Sequence, residues 1–196
     1  MAINAKPQPS DVGRVAVLCG GASAEREISL ASGAACLAAL HAKGVDAHRF
    51  DPAEDSLDSL LAFDRAFIAL HGPGGEDGTV QGALETLRIP YTGSGVLGSA
   101  LAMDKLRSKW VWQAMGLPTP AFRMLRDDDD LAPALAALGL PLFVKPLSEG
   151  SSLGTTRVDQ ADALASAYHQ ARAYGQAVLV EQCIDGPEYT VALLND

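Results

Sequence analysis

Val15-Ala-Val-Leu-Cys-Gly-Gly-Ala-Ser-Ala-Glu-Arg-Glu-Ile28 sets the fold class of this chain. Residues 15–19 are an unbroken apolar run, the mark of a strand buried on both faces. Gly20 and Gly21 turn the chain, and Glu25-Arg-Glu27 leads into a small-residue helix over about 28–42, stopped by Gly44. A strand that feeds a helix through a glycine turn begins a parallel sheet with helices packed on it. Outward from there, 46–50 and 66–70 read as the second and third strands, with a short amphipathic piece around Leu57, Leu60 and Leu61 between them. Val80, Ala83, Leu84 and Leu87 fall at i, i+3, i+4 and i+7, one face of a further helix.

Ligands of such sheets bind at the carboxyl ends of the strands. Two polar clusters are expected there: Glu25 with its neighbours, and His71-Gly-Pro-Gly-Gly-Glu-Asp-Gly78. Each has an ordinary alternative. A carboxylate at a helix start can simply serve the helix dipole, a role for which Arg26 and Glu27 compete, and a lone histidine can be structural. Gly93-Ser-Gly-Val-Leu-Gly98 matches G-x-G-x-x-G, but Ile89-Pro-Tyr-Thr before it is short and proline-broken. No acidic residue follows about 20 positions on, so a nicotinamide site is rejected and a hinge between domains is expected instead.

In the second half, Met103-Asp-Lys105 opens a helix over 106–115, and Lys105 at its start opposes the dipole. Residues 121–125 read as a strand. The acidic run 127–130 reads as the start of a helix over 131–138, with no metal assigned to it. Leu140-Pro-Leu-Phe-Val-Lys-Pro-Leu-Ser-Glu-Gly-Ser-Ser-Leu-Gly154 brings Lys145 to a loop of small residues. Successive amides in such a loop can cradle an anion, with the lysine as a point charge for phosphate. The alternative is a glycine-serine turn with a solvated lysine. A strand at 155–158, a helix over 161–174 and a strand at 177–180 ending on Glu181 follow. Glu181 and Glu188 flank a glycine-proline turn, which reads either as a polar interstrand turn or as an adenine slot with a ribose carboxylate beyond it. Residues 189–194 read as one more strand, and its bare end leads to the expectation that the sequence is cut short.

Composition removes several function classes. A net charge of -9 argues against nucleic acid and against an anionic membrane surface as partners. Cys19, Cys36 and Cys183 lack C-x-x-C spacing and read as buried apolar residues in a reducing compartment. The first residues lack the apolar core of a signal peptide, so a cytoplasmic location is expected.

Val17-Leu-Cys-Gly-Gly-Ala-Ser-Ala-Glu-Arg-Glu-Ile-Ser-Leu30, Ala69-Leu-His-Gly-Pro-Gly-Gly-Glu-Asp-Gly78, Tyr91-Thr-Gly-Ser-Gly95, Met103-Asp-Lys105 and Lys145-Pro-Leu-Ser-Glu-Gly-Ser-Ser152 together resemble the D-alanine–D-alanine ligase family. They stand in the family's order and spacing from about Val15 to the last residue. The resemblance implies an α/β chain: a parallel, Rossmann-like pre-ATP-grasp domain followed by the α+β central subdomain of an ATP-grasp fold. The implied limits are 1–95 for the substrate domain, 96–185 for the central subdomain and 186–196 for the first strand of a C-terminal domain.

The implied reaction is ATP-dependent joining of two D-alanine molecules, through a D-alanyl phosphate, into the dipeptide used in peptidoglycan. Glu25 would hold the ammonium of the first D-alanine, His71 would line the same pocket, and Ser151 would link that pocket to the phosphate loop by a hydrogen bond in the Glu25 network. Lys105 and Lys145 would bind ATP phosphates, with Glu149, Gly150 and Ser152 in the nucleotide set. Glu181 and the backbone near Ile184 would meet adenine, and Glu188 the ribose. The family's magnesium carboxylates, a phosphate-binding arginine, a lid and the second D-alanine site would lie beyond Asp196. The chain alone is therefore expected not to complete the reaction. The family also implies a homodimer through the first domain. The alternatives are a D-alanine–D-lactate ligase and a non-catalytic nucleotide-binding fragment. Pro73 departs from the family pattern without an assigned consequence.

Overall fold

The computed structural model describes residues 8–175 and 177–192. Its elements are β1 (Val15–Leu18), α1 (Arg26–Ala42), β2 (Ala47–Phe50), β3 (Arg65–Ile68), α2 (Thr79–Leu87), α3 (Val96–Met103), α4 (Lys105–Ala114), β4 (Phe122–Leu125), α5 (Leu131–Leu138), β5 (Leu142–Pro146), β6 (Thr156–Val158), α6 (Ala163–Arg172) and β7 (Val178–Gln182). Most expected elements are present with ends shifted by a residue or two, the usual uncertainty of boundaries. The amphipathic piece between β2 and β3 is a 3-10 turn, Leu57–Ala62. Two compact units result. One runs to Val111 and takes in Ser148–Ser152; the other holds Trp112–Leu147 and the chain from Leu153 onward.

The first unit is built on a parallel sheet of order β2-β1-β3. Every residue of β1 is buried, as its apolar run requires, because helices cover both faces. On one side α1 packs Leu30, Leu37 and Leu40 near Val15, Val17 and Cys19. The approach is close because Gly33 faces Cys19: a Cβ at Gly33 would lie 2.3 Å from the Cys19 Cβ. On the other side Val80 and Leu84 of α2 pack with Ala16, Leu18, Phe50 and Leu60. Ser29 of α1 ties the sheet's carboxyl end together, accepting from the Gly20 amide at 2.9 Å and donating to the Ala69 carbonyl at 2.8 Å.

The second unit holds an antiparallel sheet of order β4-β7-β5-β6. Strand alternation sends Leu125, Leu142, Val144, Val158, Val178 and Val180 to one face, where Ala134 and Leu138 of α5 and Leu164, Ala167 and Tyr168 of α6 close the core. The Tyr168 hydroxyl is satisfied by the Arg126 carbonyl at 2.9 Å. On the opposite face the register sets Lys145 beside Leu179 and Glu181 between Phe122 and Phe143.

One expectation fails here. Described residues 189–192 hold no strand, and Tyr189 and Val191 are 87% and 78% exposed; 193 and 194 lie outside the described residues. An alternating apolar pattern becomes a strand only against an edge that takes up its amides and carbonyls, and neither sheet pairs with this segment among the described residues.

Candidate active site

The site of the first unit is set by the turn into α1. Of the three charged residues there, Glu25 is the buried one, at 2% exposure, and its backbone carbonyl accepts from the Ser29 amide at the helix start. Arg26 turns the other way, to Asp51, Glu54 and the Gly21 carbonyl, and Glu27 is exposed. The competition among the three is thus resolved by where each side chain points.

Glu25 Oε1 accepts a hydrogen bond from Ser151 Oγ. Oε2 is buried and has no hydrogen-bond partner among the described residues. Room for it is kept by two glycines: a Cβ on Gly72 would lie 2.6 Å from Oε2, and one on Gly150 2.9 Å. Gly72 also has φ +70°, which a side chain would disfavour. A carboxylate buried with one oxygen unpartnered carries a heavy desolvation cost unless a cation meets it. The arrangement suits an ammonium group.

The loop that brings Ser151 is itself held. Lys105 Nζ donates to the Glu149 carbonyl at 2.5 Å. Asp104 caps α4 through the Arg107 amide at 2.8 Å, which offsets a cation in the first turn. Ser151 and Ser152 both have left-handed backbones, φ 46° and 58°, a conformation costly for residues other than glycine.

His71 follows β3. Its Nε2 is 3.1 Å from Ser32 Oγ on α1, and its Nδ1 is 4.0 Å from Glu76 Oε1. The other Glu76 oxygen accepts from the Gly72 amide at 2.9 Å, closing the loop on itself. Ser23 joins the two clusters: its hydroxyl donates to the His71 carbonyl at 2.8 Å and accepts from the Glu25 amide at 3.2 Å.

Beside these lies Asp51, fully buried and missed by sequence reading. Burial works against its ionisation. The Arg26 guanidinium and the amides of Gly21 and Ala53 outweigh that and hold its carboxyl down to about 2. Ser23, Ser32 and Glu76 were missed as well. Nothing local marks their roles, although Ser23 lies inside the quoted opening stretch and Glu76 inside the quoted histidine loop.

In the second unit Lys145 Nζ forms an ion pair with Glu181 Oε1, on the sheet face opposite the core. Glu181 is nearly buried and lies within β7 rather than beyond its end. Ile184 and Glu188 are exposed. The Gly93–Gly98 segment starts α3, with Gly95 at the cap, and the chain before it meets the parallel sheet through an isolated Ala66–Tyr91 bridge, with the Ile68 amide donating to Thr92 Oγ1 at 3.1 Å. No strand of the dinucleotide-binding kind precedes those glycines. Among the described residues no group of three or more His, Cys, Asp or Glu could hold a metal ion, and no helix is long and apolar enough to cross a membrane.

Two family models match. "D-ala D-ala ligase N-terminus" matches residues 44–94 and "D-ala D-ala ligase C-terminus" residues 111–196. The D-alanine--D-alanine ligase of Laribacter hongkongensis (strain HLHK9) is 62% identical over 188 residues, 95% of this chain and 61% of the relative. That of Dechloromonas aromatica (strain RCB) is 58% identical over 187 residues, 95% of this chain and 62% of the relative. Among solved structures, D-alanine--D-alanine ligase from Bacillus anthracis complexed with ATP superposes with a TM-score of 0.77 at 36% identity, covering 89% of this chain and 60% of that one. The chain spans about three fifths of the length of the curated relatives it matches.

Proposed function

We infer what the chain does from one premise: it belongs to the D-alanine–D-alanine ligase family. We propose that it serves the ATP-dependent joining of two D-alanine molecules into D-alanyl-D-alanine for peptidoglycan. An oxygen of the first D-alanine's carboxylate takes the γ-phosphoryl group and ADP leaves. The amine of the second then attacks the acyl phosphate carbon, and inorganic phosphate leaves.

The observation that carries this reading is the buried Glu25 carboxylate, with one oxygen on Ser151 and the other unpartnered among the described residues. That free oxygen is the proposed seat of the first substrate's ammonium, and His71 is its proposed neighbour. Lys105, Glu149, Gly150 and Ser152 in one unit, and Lys145 in the other, are the proposed phosphate-binding set. Catalysis of phosphoryl transfer is mainly positioning and neutralisation of charge, which suits two ammonium groups and a loop of amides. Glu181 and the backbone at Ile184 are proposed for adenine, and Glu188 for ribose. Magnesium would accompany ATP, but the described residues offer no ligand set for it, so no step is assigned to it.

The same reading carries a cytoplasmic location, a homodimer through the first domain, and functional limits of 1–95, 96–185 and 186–196. No observation favours the D-lactate or the purely nucleotide-binding alternative, and both relatives described above carry the dipeptide-forming name. Calorimetric titration tests the reading on this chain without requiring turnover. D-alanine is expected to bind in preference to L-alanine, and Glu25→Gln to abolish that binding. Equal binding to Glu25→Gln, or no binding by the unaltered chain, would overturn it.

A further inference from the structure

Two charged side chains outside the Glu25 pocket grip the turn that aims it. Gly21 stands four residues before Glu25, and it is held on both sides. Its amide donates to Asp51 Oδ1 at 2.9 Å, and its carbonyl accepts from Arg26 Nη1 at 2.8 Å. The same two side chains also bind each other: Arg26 Nη1 lies 3.1 Å from Asp51 Oδ1, and Nη2 lies 2.8 Å from Oδ2. The Ala53 amide, donating to Oδ1 at 3.0 Å, fixes the carboxylate from the end of β2. Space is tight: a Cβ on Gly20 would overlap Asp51 Oδ2, and the backbones of Gly20 and Gly21 are left-handed, φ +87° and +73°. A ring of contacts thus runs from the end of β2 through the turn to the first residue of α1, which follows Glu25 directly.

Stability alone does not account for this ring. A buried ion pair is often no better for folding than apolar side chains of the same volume. What the pair adds is direction, because a planar guanidinium held by both oxygens of a carboxylate has one orientation. Glu25 needs such a base. Among the described residues its side chain has one hydrogen bond, from Ser151 on a loop 126 positions further along, and its other oxygen has none. Where the carboxylate points is therefore set by the backbone beneath it, and a binding group must be held to within about 0.5 Å to be effective. Arg49 marks the contrast. It pairs with the same Asp51 at 2.8 Å and with Glu54 at 3.0 Å, but among the described residues it makes no hydrogen bond to 20–25.

We propose that Asp51 and Arg26 are positioning residues for the first substrate: they set the direction of the Glu25 carboxylate and with it the preference for one enantiomer of alanine. The inference rests on the ligase reading of the Glu25 pocket.

Calorimetric titration of D- and L-alanine into the full chain and its variants, well below their melting temperatures, tests it. Arg26→Met keeps the reach of the side chain but loses the guanidinium. Arg49→Met removes an equal charge from the same carboxylate without touching the turn. Arg26→Met and Asp51→Asn are each expected to weaken D-alanine about tenfold, about 1.4 kcal/mol, and to lower the D-over-L preference by a similar factor, whereas Arg49→Met should change neither by more than about twofold. A purely structural role would reduce the folded fraction, which lowers the stoichiometry but leaves both dissociation constants and their ratio in place. If Asp51→Asn does not fold, the two arginine variants, at partly exposed positions, still decide the matter. The proposal falls if Arg26→Met binds D-alanine with unchanged affinity and unchanged enantiomer ratio, or if Arg49→Met lowers both as far as Arg26→Met does. Failure of the unaltered chain to bind D-alanine would instead remove the ligase reading itself, and this inference with it.

Discussion

Ser151→Ala isolates the contact on which the Glu25 site rests. The substitution removes the hydroxyl that donates to Oε1 of a carboxylate only 2% exposed, whose other oxygen already lacks a partner among the described residues. Leaving a buried acceptor unsatisfied costs about 1–3 kcal/mol, with charged groups at the upper end. Alanine at this position also keeps the left-handed backbone at φ 46°, so no strain is relieved to offset the loss. At roughly 4 °C per kcal/mol for a unit of this size, the melting temperature should fall by about 4–12 °C. Ser151→Gly separates the two effects. It deletes the same hydroxyl but suits a left-handed residue, which recovers about 1 kcal/mol. Differential scanning calorimetry on the three proteins, with Glu25→Gln and the double variant completing a cycle, gives the coupling between positions 25 and 151. A coupling within error of zero, or Ala and Gly variants equally stable, would refute the account of this loop.

Two further expectations concern buried charge. Asp51 has a folded pKa of about 2 against an ordinary 3.8, so its stabilisation is present in full above about 3.8 and drains as pH falls through about 2. Asp51→Asn should therefore remove on the order of 2 kcal/mol at neutral pH and flatten acid unfolding across that window, measured by urea titration at several pH values. Lys145→Ala removes a cation from beside the buried Glu181 carboxylate, and because the lysine is partly exposed the loss should be about 1–3 kcal/mol. Lys145→Ala with Glu181→Gln should recover part of that loss in the same unfolding assay, and the single variant should also lose stabilisation by ATP in a melting experiment.

Much of the fold is legible because burial leaves a local signature. A strand covered on both faces must be apolar at every position, and residues 15–18 are; a helix packed on one side must repeat near 3.6, and Val80, Leu84 and Leu87 do. Polar contacts leave no such trace. Ser151 and Glu25 are 126 positions apart, and nothing in either neighbourhood names the other. Lys145 and Glu181 share a sheet face only because β5 pairs with β7, a register set by the whole sheet rather than by either strand. Asp51 reads as the polar end of β2 until Arg26 and Arg49 converge on it. The same asymmetry explains why 189–192 read as a strand and is not one: the pattern describes what a segment could bury, and among the described residues neither sheet pairs with it. Glycine is the intermediate case. A sequence shows that Gly72 and Gly150 are small, but their smallness gains meaning only once a carboxylate oxygen stands 2.6 Å and 2.9 Å from where their side chains would begin. Those two absent methyl groups shape the space around Glu25 Oε2, so an added methyl at either position should shut out an ammonium while leaving the Ser151 hydroxyl in place.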